Sequence, residues 1–110
     1  MPDAITDRRV APRYPLILLA EVTDLLSSVK VTARTSELSR MGCYIDMPSP
    51  LPRGTEVHVL LKNGEEVFES AAIVMYVSPG LGIGVQFAEL PAERQSLLDR
   101  WLAVAAKSGG

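Results

Sequence analysis

Three arginines near the N-terminus, Arg8, Arg9 and Arg13, have the residue type and spacing that most clearly indicate a chemical role. They lie close together and no acidic residue follows Asp7 within the segment, so the segment is concentrated positive charge. An arginine side chain binds phosphate oxygens, or the O6 and N7 edge of guanine, through two parallel hydrogen bonds, and its flat guanidinium also stacks on a base. The segment is therefore suited to a phosphorylated or nucleotide ligand.

A second polar segment, residues 37–42, interrupts the strand pattern and carries complementary groups. The Glu37 carboxylate can accept hydrogen bonds from the N1–H and the exocyclic amine of guanine, and the Ser39 hydroxyl can serve a phosphate or a base. Arg40 adds positive charge, and Gly42 permits a close approach of backbone. The alternative is a strand end whose serine and glycine are present for turn geometry alone.

The overall composition limits the partners that these segments can serve. The chain has 110 residues, of which 47% are hydrophobic, and this is enough for one domain with a buried core. With 11 basic and 13 acidic residues the formal net charge is −2, so an anion site must be local and a nucleic acid polymer is not expected to bind. The apolar run at residues 16–20 is too short to cross a bilayer, so no membrane association is expected. The expected location is the cytoplasm.

Other chemically notable residues favour structural roles. The single cysteine, Cys43, excludes an internal disulfide and, within a strand, predicts a small buried side chain. His58 falls at a polar strand position with no second histidine to share a metal, so it is predicted to be a surface residue. Gly80, Gly82 and Gly84 indicate a bend in a barrel strand rather than a phosphate loop. Without a paired nucleophile and base, a metal cluster or a nucleotide fingerprint, the sequence predicts neither an enzyme nor a cofactor.

Alternation of apolar and polar residues predicts six strands after a flexible N-terminal arm at residues 1–14. The segments assigned to strands are residues 16–23, 29–34, 43–47, 57–61, 66–78 and 83–87. The Asn63-Gly64 pair between the fourth and fifth strands favours a two-residue type I′ hairpin, in which both central residues need positive φ. Pro79-Gly80 turns the chain into the last strand.

The hydrophobic period changes to that of a helix from Pro91 onward. The apolar stripe of this helix consists of Leu97, Leu98, Trp101, Leu102 and Ala105. Burial of the stripe against the strands would place Trp101 in the core. Closure of a small sheet removes its exposed edges, so the chain predicts an all-β fold with one helix: a six-stranded antiparallel β-barrel closed by a C-terminal α-helix, over residues 15–106.

The two polar segments resemble a known family in their order and spacing. Arg9 and Arg13 form an R-x-x-x-R pair, and Ser39 and Gly42 match the end of a D/N-x-S-x-x-G segment that follows it along the chain. The barrel pattern, the Gly-Val-x-Phe ending of the last strand and the closing helix extend the likeness. On these features the chain is similar to the PilZ domain family over residues 6–104.

This resemblance implies a non-catalytic receptor for the bacterial messenger cyclic di-GMP. Together with the chemistry of the side chains, it implies a ligand-binding set of Arg8, Arg9, Arg13, Glu37, Ser39, Arg40 and Gly42. In the family, the residue before the arginine pair is linked to whether one messenger molecule or an intercalated pair is bound, and an arginine at position 8 is similar to the pair-binding type. Binding would order the arm over the barrel and signal to a downstream protein of motility, secretion or envelope machinery.

Glu37 departs from the family pattern, which has Asp or Asn at this position. Its extra methylene moves the carboxylate by roughly 1 Å or more along the same direction. Two interpretations follow from this departure. Either Glu37 still recognises guanine, or it pairs with Arg9, Arg13 or Arg34 as a surface ion pair worth at most about 1 kcal/mol. In the second case the chain is a PilZ-like protein interaction module that does not bind cyclic di-GMP.

Overall fold

The computed structural model describes residues 11–109 of the chain. Within that range the strands are β1 (Tyr14–Pro15), β2 (Leu19–Asp24), β3 (Lys30–Leu38), β4 (Gly42–Asp46), β5 (Glu56–Asn63), β6 (Glu66–Ser78) and β7 (Gly82–Phe87), and helix α1 (Ala92–Gly109) follows them. Most of the predicted arm lies outside the described residues. Its last residue, Tyr14, is already paired in a strand.

Strands β2 to β7 form a closed antiparallel barrel. Their order around the ring is β3-β2-β5-β6-β7-β4, and β4 pairs back on β3 to complete it. The short β1 adds to the end of β3, with Tyr14 opposite Leu38 and Pro15 opposite Glu37. The predicted six-stranded barrel with a C-terminal helix is therefore confirmed.

Alternation along each strand fills the barrel interior, because successive side chains point to opposite faces of a strand. Most of the inward residues are apolar and buried, and they include Ala20, Val22, Ile45, Val57, Val59, Leu61, Phe68, Val74, Ile83 and Val85. The rings of Phe68 and Phe87 pack with their centroids 5.0 Å apart. The predicted burial of the single cysteine, Cys43, is confirmed, and desolvation raises the pKa of its thiol to about 12.

A buried hydroxyl explains why β2 begins later than the sequence pattern predicted. Thr35 lies at a β-bulge of β3, which shifts the register between Thr35 and Glu37 against β4 and lets β3 continue through the predicted break. The Thr35 hydroxyl accepts a hydrogen bond from the Leu18 amide at 3.0 Å and donates one to the Leu16 carbonyl at 2.7 Å. These bonds hold residues 16–18 outside the regular strand pairing. β2 therefore starts at Leu19 instead of residue 16.

The hairpin between β5 and β6 is confirmed, but the predicted turn type is wrong. Asn63 pairs with Glu66 as the last rung of the ladder, so the two loop residues are Gly64 and Glu65. Gly64 has a φ of 64°, whereas neither Asn63 nor Glu65 has positive φ. This is the backbone pattern of a type II′ turn, which needs glycine only at its first loop position.

Helix α1 covers one end of the barrel. Its first backbone hydrogen bond runs from the Gln95 amide to the Pro91 carbonyl at 3.0 Å, so the helix starts where the sequence predicted. Leu98 and Trp101 are buried, and the Trp101 ring centroid lies 6.3 Å from that of Phe68. This contact confirms the core placement of Trp101. The helix lacks the apolar length that a crossing of the bilayer would require.

A carboxylate on β6 fixes the orientation of the helix. Glu66 accepts a hydrogen bond from the Trp101 indole N–H at 2.7 Å and two from the Arg100 guanidinium at 2.8 and 3.0 Å. Both bonds lower the pKa of Glu66, and the bond from Trp101 contributes more than the bond from Arg100. A carboxylate with a depressed pKa in the folded state stabilises the fold above its unfolded pKa, and this stabilisation is lost as the pH falls through the folded-state value.

The substitution Glu66→Gln removes this charge. The free energy of unfolding of the variant is therefore expected to depend less on pH in the acidic range. The free energy of unfolding of the native protein should fall more steeply than that of the variant below about pH 4.3, the ordinary pKa of glutamate. Urea unfolding followed by Trp101 fluorescence at several pH values measures this difference. The control is Glu65→Gln, an exposed neighbour in the hairpin turn. If the free energy of unfolding of Glu66→Gln fell with pH as steeply as that of the native protein, the stabilising role of the Glu66 carboxylate would be contradicted.

Candidate ligand-binding site

The ladder register brings a row of four residues together across the outer face of the barrel. Glu37 on β3 pairs with Tyr44 on β4, Tyr44 pairs with Gly84 on β7, and Gly84 pairs with Tyr76 on β6. Directly opposed residues share a face of the sheet, with Cβ atoms about 5 Å apart. A carboxylate and two phenol rings therefore lie side by side.

A groove of about 190 Å³ runs along this row. Besides the row itself, its lining includes Arg13, Ser39, Met41, Gly42, Met75 and Gln86. Four of the residues predicted from the sequence as ligand contacts, Arg13, Glu37, Ser39 and Gly42, thus line a single concave surface. Arg8 and Arg9 lie outside the described residues.

Arg13 and Glu37 meet at the rim of the groove. The Arg13 Nη1 atom lies 3.7 Å from Glu37 Oε1, and both side chains are about half exposed. Their proximity follows from β1, because Tyr14 pairs with Leu38 and so holds the preceding arginine beside the end of β3. An exposed ion pair of this kind contributes at most about 1 kcal/mol, so both groups can exchange partners at low cost.

Ser39 uses its polar groups inside its own turn. The Ser39 hydroxyl accepts hydrogen bonds from the amides of Met41 and Gly42 at 3.1 and 3.2 Å, and its amide donates to the Gly42 carbonyl at 2.9 Å. The residue is only 7% exposed. In this structure Ser39 shapes the turn between β3 and β4.

Arg40 points away from the groove toward the helix. Its Nε donates a hydrogen bond to Asp99 Oδ1 at 2.9 Å, and the Gln95 side-chain amide donates to the same oxygen at 3.0 Å. The bond from Arg40 contributes most to lowering the pKa of Asp99, and the bond from Gln95 contributes less. Arg40 is therefore the member of the predicted site that connects the turn to α1.

Gly42 is required by the barrel backbone itself. A Cβ atom at this position would overlap the carbonyl oxygen of Val85 on β7. The neighbouring Met41 carbonyl accepts a hydrogen bond from the Phe87 amide at 2.8 Å. The close approach that the sequence suggested at Gly42 is thus made by β7.

Tyr44, Tyr76 and the two methionines of the groove were missed by the sequence reasoning, which assigned them no ligand role. Tyr44 and Tyr76 are 32 positions apart in the chain and meet only through β7. One residue reflects this contact in the sequence: Gly84 has no side chain, and this leaves room for the Tyr76 ring. The role of Gly84 can be recognised only when the strand order is known as well as the sequence.

His58 lies on the outer face of β5, away from the groove lining. It is partly exposed, and its Nε2 atom lies 3.2 Å from Glu69 Oε1 on the neighbouring strand. Within residues 11–109, no cluster of three or more histidine, cysteine, aspartate or glutamate residues has the arrangement of a metal site. The groove is the concave surface that is lined by four of the sequence-predicted residues, Arg13, Glu37, Ser39 and Gly42.

Comparison with protein-family models matches the PilZ domain over residues 7–104. Because the match spans most of the sequence, the chain belongs to the PilZ domain family. Comparison with curated proteins finds no match.

Solved PilZ domains share this fold. The PilZ domain of CeSA from a cellulose-synthesizing bacterium has a TM-score of 0.65 and 24% identity, and the alignment covers 82% of this chain and 93% of that one. The PilZ domain of YcgR from Escherichia coli, solved with c-di-GMP, has a TM-score of 0.77 and 16% identity, covering 93% and 94% of the two chains. The motility inhibitor MotI/DgrA of Bacillus subtilis has a TM-score of 0.70 and 16% identity, covering 86% of this chain and 49% of that one.

The substitution Gly42→Ala is expected to destabilise the barrel, because the new methyl group would push β4 away from Val85. Overpacking of this kind costs about 2 kcal/mol. Ala71→Ser is the control, since it also adds one heavy atom to a strand residue but at an exposed position of β6. Urea unfolding should show a lower midpoint for Gly42→Ala and little change for Ala71→Ser. Equal midpoints for Gly42→Ala and the native protein would contradict the contact.

Proposed function

We propose that this chain is a receptor for cyclic di-GMP that binds the messenger in the groove between β3, β4, β7 and β6. The observation that carries the proposal is the meeting of Arg13 and Glu37 at the rim of one groove, 3.7 Å apart. Membership of the PilZ family and the likeness to the YcgR domain solved with c-di-GMP support it. The proposed role is binding without catalysis, in the cytoplasm of a bacterium.

Each proposed contact follows from the chemistry of its side chain. Arg13 offers a planar pair of donors to a phosphate or to the O6 and N7 edge of guanine. Glu37 can accept the two donors on the other edge of guanine, N1–H and the exocyclic amine. Arg8 and Arg9, which precede Arg13 in the N-terminal segment, would contribute further cationic contacts.

The proposed output is an ordering of the N-terminal segment. Fixing a backbone residue costs about 1 to 2 kcal/mol, which charge-assisted hydrogen bonds and stacking on the ligand would offset. The segment would then lie over the barrel and form a surface that a downstream protein reads. Motility, secretion or envelope machinery are the proposed sources of that partner, and the likeness to MotI/DgrA is consistent with the first of them.

The arginine contacts predict a clear outcome in isothermal titration. The native protein should bind cyclic di-GMP in the micromolar range or more tightly, and Arg9→Ala and Arg13→Ala should each weaken binding at least about 10-fold, because a hydrogen bond to a charged group contributes roughly 1.5 to 3 kcal/mol. Arg53→Ala is the matched control, since Arg53 is exposed in the loop between β4 and β5. Equal affinity for Arg13→Ala and the native protein would contradict the site.

The carboxylate at position 37 predicts base selectivity. Glu37→Asp should retain cyclic di-GMP binding, whereas Glu37→Gln should weaken it about 10-fold, because the amide N–H₂ opposes a donor of guanine and the amide carries no charge. Cyclic di-AMP presents an acceptor where guanine presents N1–H, so it should bind poorly to the native protein. Equal titration curves for Glu37→Gln and the native protein would contradict base recognition by Glu37.

A second candidate function is favoured by the same ion pair. Arg13 already neutralises Glu37 in this structure, as expected for a PilZ domain that docks a protein partner without the messenger. In that case the native protein gives no heat with cyclic di-GMP and its amide NMR spectrum does not change when the messenger is added. That result would replace the receptor function with the docking function.

A further inference from the structure

Two aromatic rings line the groove, that of Tyr76, which is exposed, and that of Tyr44, which is partly buried. The ring centroids of Tyr44 and Tyr76 lie 6.1 Å apart and the ring planes make an angle of 29°. This is an offset stack, one of the preferred arrangements of two aromatic side chains. Tyr76 is still 41% exposed, so part of the ring surface remains open to the groove.

The position of the Tyr76 ring is fixed by two features of the backbone. A β-bulge between Val74 and Tyr76 shifts the register of β6 against β7, and as a result both Met75 and Tyr76 are exposed, at 45% and 41%. The Tyr76 ring then lies over Gly84, where a Cβ atom would overlap it. Bulges are a common means of redirecting a side chain beside a functional site.

The groove around the rings is lined by both apolar and charged residues. Met41 is 51% exposed and lines the same groove as Met75. Arg13 and Glu37 also line it, and Glu37 is the direct cross-strand partner of Tyr44. A flat heterocycle with polar edges needs this combination, because its faces require an apolar or aromatic surface and its edge requires charged groups.

We propose that Tyr44 and Tyr76 form the platform on which one guanine of cyclic di-GMP stacks, with Met41 and Met75 packed against its edges. The inference rests on the proposed function and assigns base stacking to residues outside the two sequence motifs. A base on the face of Tyr44 lies within reach of the carboxylate of Glu37, since directly opposed residues have Cβ atoms about 5 Å apart. The rings can stack on any base, and Glu37 selects guanine.

The test compares Tyr76→Leu with Tyr76→Phe, which keeps the ring and removes only the hydroxyl. Stacking of a base on an aromatic side chain predicts about 10-fold weaker binding of cyclic di-GMP by Tyr76→Leu and a change of less than about 2-fold for Tyr76→Phe. The slope of affinity against salt concentration should stay unchanged in Tyr76→Leu and decrease in Arg13→Ala, because only the second substitution removes a positive charge that attracts the anionic ligand. Tyr44→Leu provides a second variant if Tyr76→Leu does not fold.

NMR of the ligand gives a readout that a purely structural role would not affect. The guanine H8 proton should shift upfield on binding to the native protein and to Tyr76→Phe, and it should shift less with Tyr76→Leu, because the proton would lie over an aromatic ring. If the native protein binds and Tyr76→Leu binds equally well with the same H8 shift, the platform is wrong and the receptor function stands. If the native protein does not bind cyclic di-GMP, both proposals are overturned.

Discussion

Strand β4 can lie against β7 at its first residue only because position 42 has no side chain. A Cβ at Gly42 would occupy the place of the Val85 carbonyl oxygen. β4 must also pair with β3 to close the ring, so any displacement of its start would open the barrel on both sides. The groove lies across these same strands, and the contact at Gly42 therefore sets both the closure of the fold and the distances within the site.

The regular parts of the fold could be predicted from the sequence because they follow local rules. Strict alternation identified the strands, and the asparagine-glycine pair identified the hairpin between β5 and β6. The start of β2 and the turn type of the hairpin were predicted wrongly for one physical reason. Contacts with the neighbouring strand decide where a strand starts and which residues form the turn. The hydroxyl of Thr35 holds the segment before β2 out of the ladder, and the pairing of Asn63 with Glu66 moves the turn by one residue.

The candidate site could likewise be predicted only in part. Arg13 and Glu37 could be recognised because each belongs to a short motif, although their contact depends on the pairing of β1 with β3. Tyr44 and Tyr76 could not be recognised, because a bulge in β6 and the order of three strands bring them together. Short motifs thus reveal the charged groups of a site, while the apolar surface between those groups depends on the register of the closed barrel.

The contacts of the helix limit which element a ligand can move. Arg40 connects the turn after β3 to Asp99, but this exposed pair contributes at most about 1 kcal/mol and a phosphate could take the place of the carboxylate at little cost. The helix would remain docked after that exchange, because Trp101 is buried against the barrel and bonded to Glu66. The turn itself is held by the Ser39 hydroxyl. In the proposed receptor, the N-terminal segment is therefore the element whose position reports the ligand, and the barrel and helix serve as its fixed support.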